Sequence, residues 1–555
     1  MILDLRPGTP LDPWVAARLT SMAPEISHQF HLFLEQVAIL NPLQDQDWLL
    51  RAISRNTLFN GLYERLGRLA LLRALIDDGL APTTVVVDSL ALRTTIESGL
   101  RPQQRSFTVK VNKAPTRSLI GAVGQSLAYL AIRFCCSRSV TPAAPQARLH
   151  ALTVLDVFVI SSSFGTDGQY DDRYWGSLWN SMTPDEKASA AYLPTLVGQR
   201  RIADFLMTFR AMRASSRRFL LREDVLRLSD YFAALWTAVR VPIKDWKTPP
   251  YLGFDVEDLF RMEALSERGG TDLVNAALTI RHFARLKEKG VTLRLVLDWF
   301  EGQPGDRALA IAVRRYFPDT SLLAYCGAIM PEEELSIRPA SYELKAGTIP
   351  SIFVVTGSGF VSRTQFYAPN VIVEIGPAMR YAALWTARKK SPDPSYFTLL
   401  ALLPLDVHAA RGMVAMLRGM PRRHNLRIWL KRHPVHRATE FDCIDAEGMT
   451  FIDASFDAAL EESDAVLSSA SVTSLEALLR GIPAIIAANL DGFTRNPIPA
   501  PLRHAAAIAT TGEELAAMLN QLPDKKELSM LGERYRAVYF IPATRQAMRN
   551  LLRLS

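Results

Sequence analysis

Residues 462–486 read ESDAVLSSASVTSLEALLRGIPAII, an apolar strand-like run, a polar turn, an amphipathic helical run and a second apolar strand-like run. Short buried strands that alternate with helices are typical of parallel α/β layers. The alternation extends upstream through NVIVEIG, YFTLLALLP and LRIWLKRHP. The C-terminal part of the chain is therefore predicted to form a Rossmann-like domain.

An earlier part of the chain repeats the pattern. The helical run LYERLGRLALLRALIDDG precedes TTVVVDS, and TDLVNAALTIRHFARLKEKG leads into VTLRLVLDWFEG. These runs predict a doubly wound domain over residues 50–330, with helical insertions near 117–136 and 200–260. The polar, proline-broken segment 330–350 is predicted to connect the domains. The predicted fold class is α/β, with two Rossmann-like domains, 1–335 and 350–555, that face each other across a cleft.

The composition is that of a globular protein with a basic surface. Of 555 residues, 48% are hydrophobic and 22% are charged, which excludes a disordered or fibrous chain. The net charge of +8 favours anionic partners. Nucleic acid is not predicted as a partner, because the basic residues are dispersed and no known binding module is present. The N-terminus lacks the pattern of a signal peptide, so a cytoplasmic location is predicted.

The cysteines show no metal or redox pattern. They are Cys135, Cys136, Cys326 and Cys443, and none has CxxC spacing. Asp171 and Asp172 are adjacent, and adjacent side chains point in different directions. The sequence therefore predicts no metal site.

One apolar segment raises the question of membrane contact. SLIGAVGQSLAYLAI, residues 118–132, is shorter than the roughly 20 residues needed to span a bilayer. Its basic flanks would suit peripheral contact with an anionic membrane. A buried helix explains the segment equally well, so the sequence is compatible with either a membrane contact or a buried helix.

The polar turn inside 462–486 predicts an anion-binding site. Ligands of parallel α/β sheets bind beyond the carboxyl ends of the strands, where helix N-termini offer free N–H groups. Ser468, Ser469 and Ser471 follow such a strand and would bind a phosphate or carboxylate. Thr473 and Glu476, which have capping-box spacing, are assigned to the same donor-binding group. A solvated polar turn is the alternative.

A basic group follows another predicted strand. In LRIWLKRHPVHR, Lys431, Arg432 and His433 come directly after the apolar run, and His436 and Arg437 follow. Cations and a protonated imidazole at a strand end can neutralise a phosphate leaving group. A solvated basic turn is the alternative.

A glycine-containing turn is predicted to contribute Gly357 to the donor site. TGSGF, residues 356–360, lacks the full dinucleotide fingerprint. Gly357 is therefore predicted to lie in a flexible turn that lines the cleft.

Two features of the N-terminal domain predict an acceptor site. Glu301 follows the strand VTLRLVLDWF and would take a proton from an acceptor hydroxyl, or else cap the next helix or pair with Arg307. Arg173, Tyr174 and Trp175 offer a cation and flat rings to a sugar. A buried Trp175 is the alternative.

Three of these motifs resemble known families. The serine-rich turn with its helix and GIPAII resembles the donor half of GT-B glycosyltransferases. KRHP resembles the His-Pro motif of bacterial sialyltransferases and Kdo transferases. DGQYDDRYWGSL, together with WFEGQPGDRAL, resembles a family known only as surface carbohydrate biosynthesis proteins. The likeness covers most of residues 50–540, and each motif is short.

The resemblance implies a metal-independent GT-B glycosyltransferase of capsule or lipopolysaccharide synthesis. The C-terminal domain would hold a nucleotide sugar, CMP-linked by the His-Pro likeness, and the N-terminal domain a glycan or lipid-linked acceptor. His433 would assist the CMP phosphate, and Ser468 and Ser469 would hold phosphate or sugar carboxylate. No further cofactor is implied. Bacterial sialyltransferases carry two acidic residues before a glycine, whereas this chain has only Glu301 before Gly302.

Two other functions fit the same pattern. A polyol-phosphate transferase of the teichoic-acid type also pairs two Rossmann domains with a cytidine nucleotide, and its product would be a phosphate ester. A non-catalytic glycan-assembly protein could keep the fold without the chemistry. Retention of the histidine, serines and glutamate argues against the second.

Overall fold

The computed structural model describes residues 1–100, 107–112, 118–140, 150–165, 169–199, 201–386, 395–421, 424–433 and 448–554. His436, Arg437 and Cys443 lie outside the described residues.

The N-terminal segment forms a small parallel sheet of its own. Its strands are β1 (Ile2–Asp4), β2 (Thr84–Val87) and β3 (Thr108–Val111). The prediction that TTVVVDS belongs to the large N-terminal sheet is wrong, because β2 pairs with β1 and β3. A short valine-rich strand carries no signal for which sheet it joins.

The first large sheet contains six parallel strands among the described residues. They are β4 (Leu152–Val159), β5 (Ala190–Leu196), β6 (Leu293–Trp299), β7 (Ser321–Cys326), β8 (Ile352–Val355) and β9 (Ile372–Ile375). Their spatial order is β5-β4-β6-β7-β8-β9. The direction of winding reverses between β4 and β6, so the carboxyl ends of these two strands form the topological switch point where α/β sheets bind ligands.

The second large sheet also contains six parallel strands in the part of the chain that is described. They are β10 (Phe397–Leu402), β11 (Leu426–Lys431), β12 (Thr450–Phe451), β13 (Ala465–Ser468), β14 (Ala484–Ala487) and β15 (Ala506–Ala509). Their order, β12-β11-β10-β13-β14-β15, is the Rossmann order 3-2-1-4-5-6. Its switch point lies between β10 and β13, and the predicted serine turn follows β13 directly.

Helices cover both large sheets and fill the predicted insertions. They are α1 (Pro13–Ser21), α2 (Ala23–Leu40), α3 (Gly61–Asp77), α4 (Leu90–Gly99), α5 (Leu119–Arg138), α6 (Gly176–Ser181), α7 (Pro184–Ala188), α8 (Ile202–Ala214), α9 (Leu228–Arg240), α10 (Glu257–Ser266), α11 (Thr271–Glu288), α12 (Pro304–Tyr316), α13 (Ser341–Ala346), α14 (Val361–Gln365), α15 (Val407–Arg418), α16 (Phe456–Glu461), α17 (Thr473–Leu479), α18 (Gly512–Met518), α19 (Lys525–Tyr539) and α20 (Arg545–Leu551). The predicted class, α/β with two Rossmann-like domains and helical insertions in the first, is confirmed.

The predicted domain boundary is wrong. Strands β8 and β9 lie beyond residue 350 but pair with the first sheet, so the chain enters the second sheet only at β10. The segment 330–350 is not an exposed connection, since Glu334 is fully buried and accepts hydrogen bonds from Thr57 at 2.7 and 2.9 Å. Helix α20 returns to the first domain, where Met548 and Leu551 join its core.

The two domains share an apolar junction. Phe300 and Phe353 of the first domain belong to one buried cluster with Leu475 and Ile486 of the second. Helix α17 also packs against the segment Met379–Trp385, which follows β9. The carboxyl end of β9 therefore lies beside the helix that follows the serine turn.

Candidate functional site

Glu301 lies at the switch point of the first sheet, two residues beyond β6. Its carboxylate accepts the indole N–H of Trp299 at 3.1 Å, and its main-chain carbonyl accepts the amide of Asn56 at 3.0 Å. Gly302 follows with φ +70°, and a Cβ there would lie 2.7 Å from the carbonyl oxygen of Ser336. Only glycine fits this turn, which holds Glu301 at the edge of the sheet.

The alternative structural roles for Glu301 are wrong. Asp306 caps α12 instead, because its carboxylate accepts the main-chain N–H groups of Glu301 at 3.0 Å and Gln303 at 2.8 Å. Arg307 pairs with the buried Glu343. The Glu301 carboxylate is half-buried, and burial raises its pKa against the opposing effects of Trp299, Arg380 and Gln303.

Arg380, which the sequence analysis missed, lies beside Glu301. Its guanidinium carbon is 5.7 Å from the ring centroid of Trp299 and 5.9 Å from that of Tyr174. Tyr174 packs edge-on against Trp299 at 4.8 Å. The sequence offers one signal for Arg380, which is its position in GPAMRY shortly after the strand-like run NVIVEI. A single arginine in a loop is too common to predict a functional residue.

Glu476 brings the second domain to the same arginine. It lies on α17 and is almost fully buried. Burial raises the pKa of Glu476 to about 8, and the charge of Arg380 acts in the opposite direction. Glu301, Tyr174, Trp299, Arg380 and Glu476 are called the interdomain cluster below.

The serine turn follows β13 directly, as predicted, and lies at the switch point of the second sheet. Ser468 ends β13 and is fully buried, and its hydroxyl hydrogen-bonds to that of Ser474. Ser469 is nearly buried and Ser471 half-buried. Ala470 between them has φ +50°, a left-handed conformation that is uncommon for a residue with a Cβ. Strained turns of this kind cluster at ligand sites.

The predicted capping box is wrong. Val472 is the N-cap of α17, and no side chain caps this helix. The Thr473 hydroxyl hydrogen-bonds to Ser471 at 2.8 Å instead. Glu476 lies in the first turn of the helix, but its carboxylate is placed near Arg380. The spacing was right for a capping box, but the helix begins one residue too early to use it.

The basic turn and the serine turn lie at the same edge of the sheet. Lys431 and Ser468 are both in register with Leu402 of β10, on its two sides. At about 4.8 Å per strand, their Cα atoms are roughly 10 Å apart. The Lys431 ammonium donates to the carbonyl of Ala454, and His433 follows, half-buried, two residues beyond β11. A phosphate could therefore touch both turns.

Of the three predicted acceptor residues, the structure places one in the cluster. Trp175 is fully buried and donates its indole N–H to the carbonyl of Asp156 at 2.7 Å, so the prediction that it contacts an acceptor is wrong. Arg173 is exposed and pairs with Asp171 at 3.3 Å. Tyr174 and Trp175 both pack on Trp299, but only Tyr174 is half-buried and also lies against Arg380. Neighbouring side chains point in different directions, so the Trp175 ring is fully buried while the Tyr174 ring is half-buried.

Gly357 allows the chain after β8 to pack closely against the end of α19. It is buried, and a Cβ there would overlap the backbone of Val538 and Tyr539 at the end of α19. Thr356 beside it donates its hydroxyl to the Tyr539 carbonyl at 3.0 Å. The interpretation of this segment as a flexible turn is wrong, because the chain is pinned between two elements.

One group of described carboxylates has the spacing of metal ligands. Asp156, Asp298 and Asp306 each place a carboxylate oxygen within 4.8 Å of the others, and all three are buried. Burial and the neighbouring carboxylates raise the pKa of Asp156 and of Asp298 well above the usual range. This group lies beneath the turn that carries Glu301, since Asp306 caps that turn.

No protein-family model matches this chain, and no curated protein matches it. Solved structures similar to it include a UDP-N-acetylglucosamine 2-epimerase, at 14% identity and TM-score 0.39 over 73% of this chain and 95% of that one. CalG4, the calicheamicin glycosyltransferase, is 11% identical with TM-score 0.39 over 72% and 98%. The glycosyltransferase SnogD from Streptomyces nogalater is 13% identical with TM-score 0.39 over 73% and 99%. Likenesses this distant assign neither an activity nor a donor.

Proposed function

We propose that the chain is a glycosyltransferase of bacterial surface polysaccharide synthesis. It would transfer a sugar from a nucleotide donor to a glycan or lipid-linked acceptor. The observation that supports this is the interdomain cluster. Glu301 at the switch point of one sheet and Glu476, beyond the switch point of the other, both lie near the cation of Arg380. A two-substrate transfer needs its donor and acceptor sites to meet in this way.

The donor occupies the second domain. Its phosphate lies between the serine turn and the basic turn, where Ser469, Ser471, Lys431 and His433 supply hydroxyl donors and positive charge. CMP is the favoured nucleotide because of the His-Pro resemblance. An acidic sugar would place its carboxylate toward Arg380.

Glu301 acts as the general base of the transfer. It takes the proton of an acceptor hydroxyl, whose oxygen forms a bond to the anomeric carbon of the donor sugar. The bond from that carbon to the phosphate oxygen breaks, and the phosphate leaves with the electron pair. Lys431 and His433 neutralise the charge that develops on it. Tyr174, which is half-buried, offers the ring face on which the acceptor sugar packs, and the buried Trp299 supports it from behind.

Isothermal titration calorimetry of the full chain with CMP, UDP and CDP tests the donor site. We expect CMP to bind most tightly, and Lys431→Met to weaken its binding by about 10–100-fold, because a hydrogen bond to a charged group contributes about 1.5–3 kcal/mol. Lys526→Met, at an exposed lysine on α19, is the control. Absence of binding by all three nucleotides would remove the donor-site proposal.

The proposal includes peripheral attachment to an anionic membrane. Among the described helices, α5 is long and apolar enough to span a bilayer by length and composition, with a mean hydropathy of 1.5. It is nevertheless attached to the domain, since Arg133 in its C-terminal half forms a buried ion pair with Glu223 at 2.7 Å, although only 28% of its apolar stretch is buried. A surface contact fits this packing better than a span.

The neighbouring helix α9 supplies the apolar face for that contact. Leu228, Phe232 and Trp236 repeat at every fourth residue and are 67%, 68% and 64% exposed. Helices α5 and α9 touch where Phe134 packs edge-on against Tyr231 at 6.1 Å.

The charges on this face suit anionic lipid. Arg227 and Arg240 flank the α9 stripe and are exposed. The one acid of α9, Asp230, is buried against Arg285, and α5 contains no acid. A basic helix with one apolar, aromatic face is typical of proteins that lie at an anionic bilayer surface.

Flotation with lipid vesicles tests the attachment. We expect the chain to bind phosphatidylcholine vesicles that contain phosphatidylglycerol, and Phe232→Ser/Trp236→Ser to reduce binding at least tenfold, since two aromatic side chains no longer leave water. Met530→Ser, at a methionine exposed to 57% on α19, is the control. Equal binding by wild type and double variant would contradict the proposal, as would a stable dimer through this face seen by light scattering.

A further inference from the structure

The buried acidic group of the first domain is assembled by sheet register and by a helix start. Asp156 on β4 and Asp298 on β6 each lie one residue beyond the register pair Leu155–Leu297, which places them side by side. Asp306 approaches from the first turn of α12. The three carboxylates come from distant parts of the sequence, so neither spacing nor motif could have predicted the group.

Asp298 is the residue whose bonding is incomplete. It is 0% exposed, and neither of its carboxylate oxygens accepts a hydrogen bond from any described residue. Within the described ranges, no lysine, arginine or histidine forms an ion pair with Asp156, Asp298 or Asp306. A buried carboxylate without a donor or counter-charge is strongly unfavourable, and such groups are rare in folded proteins.

A bound cation would compensate the buried negative charge of these carboxylates better than a proton. One proton shared between two oxygens neutralises only one of three charges and leaves an Asp298 oxygen without a partner. A dication contacts all three carboxylates at once. Two oxygens on a common ion lie at most twice the metal–oxygen distance apart, which is about 4.6–5.2 Å for Ca²⁺ and about 4.2 Å for Mg²⁺. Separations within 4.8 Å are compatible with a shared ion, and the burial of all three carboxylates favours Ca²⁺, because Mg²⁺ gives up its water ligands reluctantly.

We propose that Asp156, Asp298 and Asp306 together bind one hard divalent cation of the size of Ca²⁺. The ion is a positioning element for the turn above it. The second oxygen of Asp306 accepts the main-chain N–H groups of Glu301 and Gln303, so a ligand bond to Asp306 ties that turn to the sheet. The inference does not rest on the proposed transfer, because it concerns the carboxylates alone.

Cation uptake by the chelator-stripped full chain tests the site, with no nucleotide present. We expect calorimetry with CaCl₂ to give one equivalent bound and the melting temperature to rise with Ca²⁺ concentration. MgCl₂ should bind more weakly. Asp298→Asn should abolish uptake, whereas Asp319→Asn, at an exposed aspartate before β7, should retain it.

Two results would overturn the proposal. The first is a wild-type chain that takes up neither Ca²⁺ nor Mn²⁺ at millimolar concentrations, the latter followed by the loss of its free-ion electron paramagnetic resonance signal. The second is full uptake by Asp298→Asn. The wild-type experiment does not depend on the variant folding, and loss of nucleotide binding would leave both measurements unaffected.

Discussion

Glu301→Gln is expected to lower the single-turnover rate of sugar transfer by about 10²–10⁴-fold, the usual contribution of a general base. Glutamine has the same shape and its carbonyl oxygen can still accept the indole N–H of Trp299, which Glu301 accepts at 3.1 Å. The turn should therefore keep its structure while losing its base. The measurement is the rate of product formation with enzyme in excess over a CMP-sugar.

Two controls separate chemistry from folding. Glu513→Gln, at an exposed glutamate on α18, should transfer at the wild-type rate. The affinity of Glu301→Gln for CMP should equal that of the wild type, because the donor turns belong to the other domain. An unchanged transfer rate would dismiss Glu301 as the base. A parallel loss of CMP affinity would make it a structural residue.

Glu476→Gln is expected to make the protein more stable at alkaline pH and to change little at acidic pH. Burial raises the pKa of Glu476 from 4.5 to about 8 in the folded chain. The folded state therefore binds the proton more tightly than the unfolded state, and the stability this gives is fully present below pH 4.5. It is lost as pH rises toward 8 and beyond. At 1.36 kcal/mol per pKa unit, the loss approaches about 5 kcal/mol.

Thermal unfolding at pH 5 and pH 9 measures this effect. We expect the melting temperature of Glu476→Gln to match that of the wild type at pH 5 and to exceed it by up to about 10–20 °C at pH 9, since each kcal/mol corresponds to roughly 2–4 °C in a domain of this size. Glu513→Gln again serves as the control, because that glutamate is exposed. The same difference at both pH values would mean that Glu476 is ionised in the folded chain at neutral pH.

The two-domain architecture could be predicted because buried parallel strands are short, apolar and separated by helices. The assignment of β8 and β9 could not. The sequences IFVV and IVEI are typical of buried strands in either sheet. Only the pairing of β8 with β7, and of β9 with β8, shows that they belong to the first domain. The segment 330–350 looked like a linker because it is polar, but Glu334 and Glu343 are buried with partners that lie far away in the sequence.

The candidate site also contains some residues that the sequence predicts and others that it does not. Glu301 and the serine turn were predictable, since each follows an apolar strand and carboxyl ends of strands bind ligands. Arg380 was not, because its importance comes from the contact between α17 and the segment after β9. Tyr174 and Trp175 were predicted as a pair, and only the packed structure shows that one is core. Asp156, Asp298 and Asp306 become neighbours only through register.

A crystal structure of the chain with CMP would decide whether the two domains build one transfer site. We expect the phosphate to lie within hydrogen-bonding distance of the turn containing Ser469 and Ser471, next to Lys431 and His433. The ribose-distal side of that phosphate should face Arg380 and Glu301 across the cleft. A nucleotide bound elsewhere, or a phosphate screened from Glu301 by other parts of the protein, would contradict the proposed function.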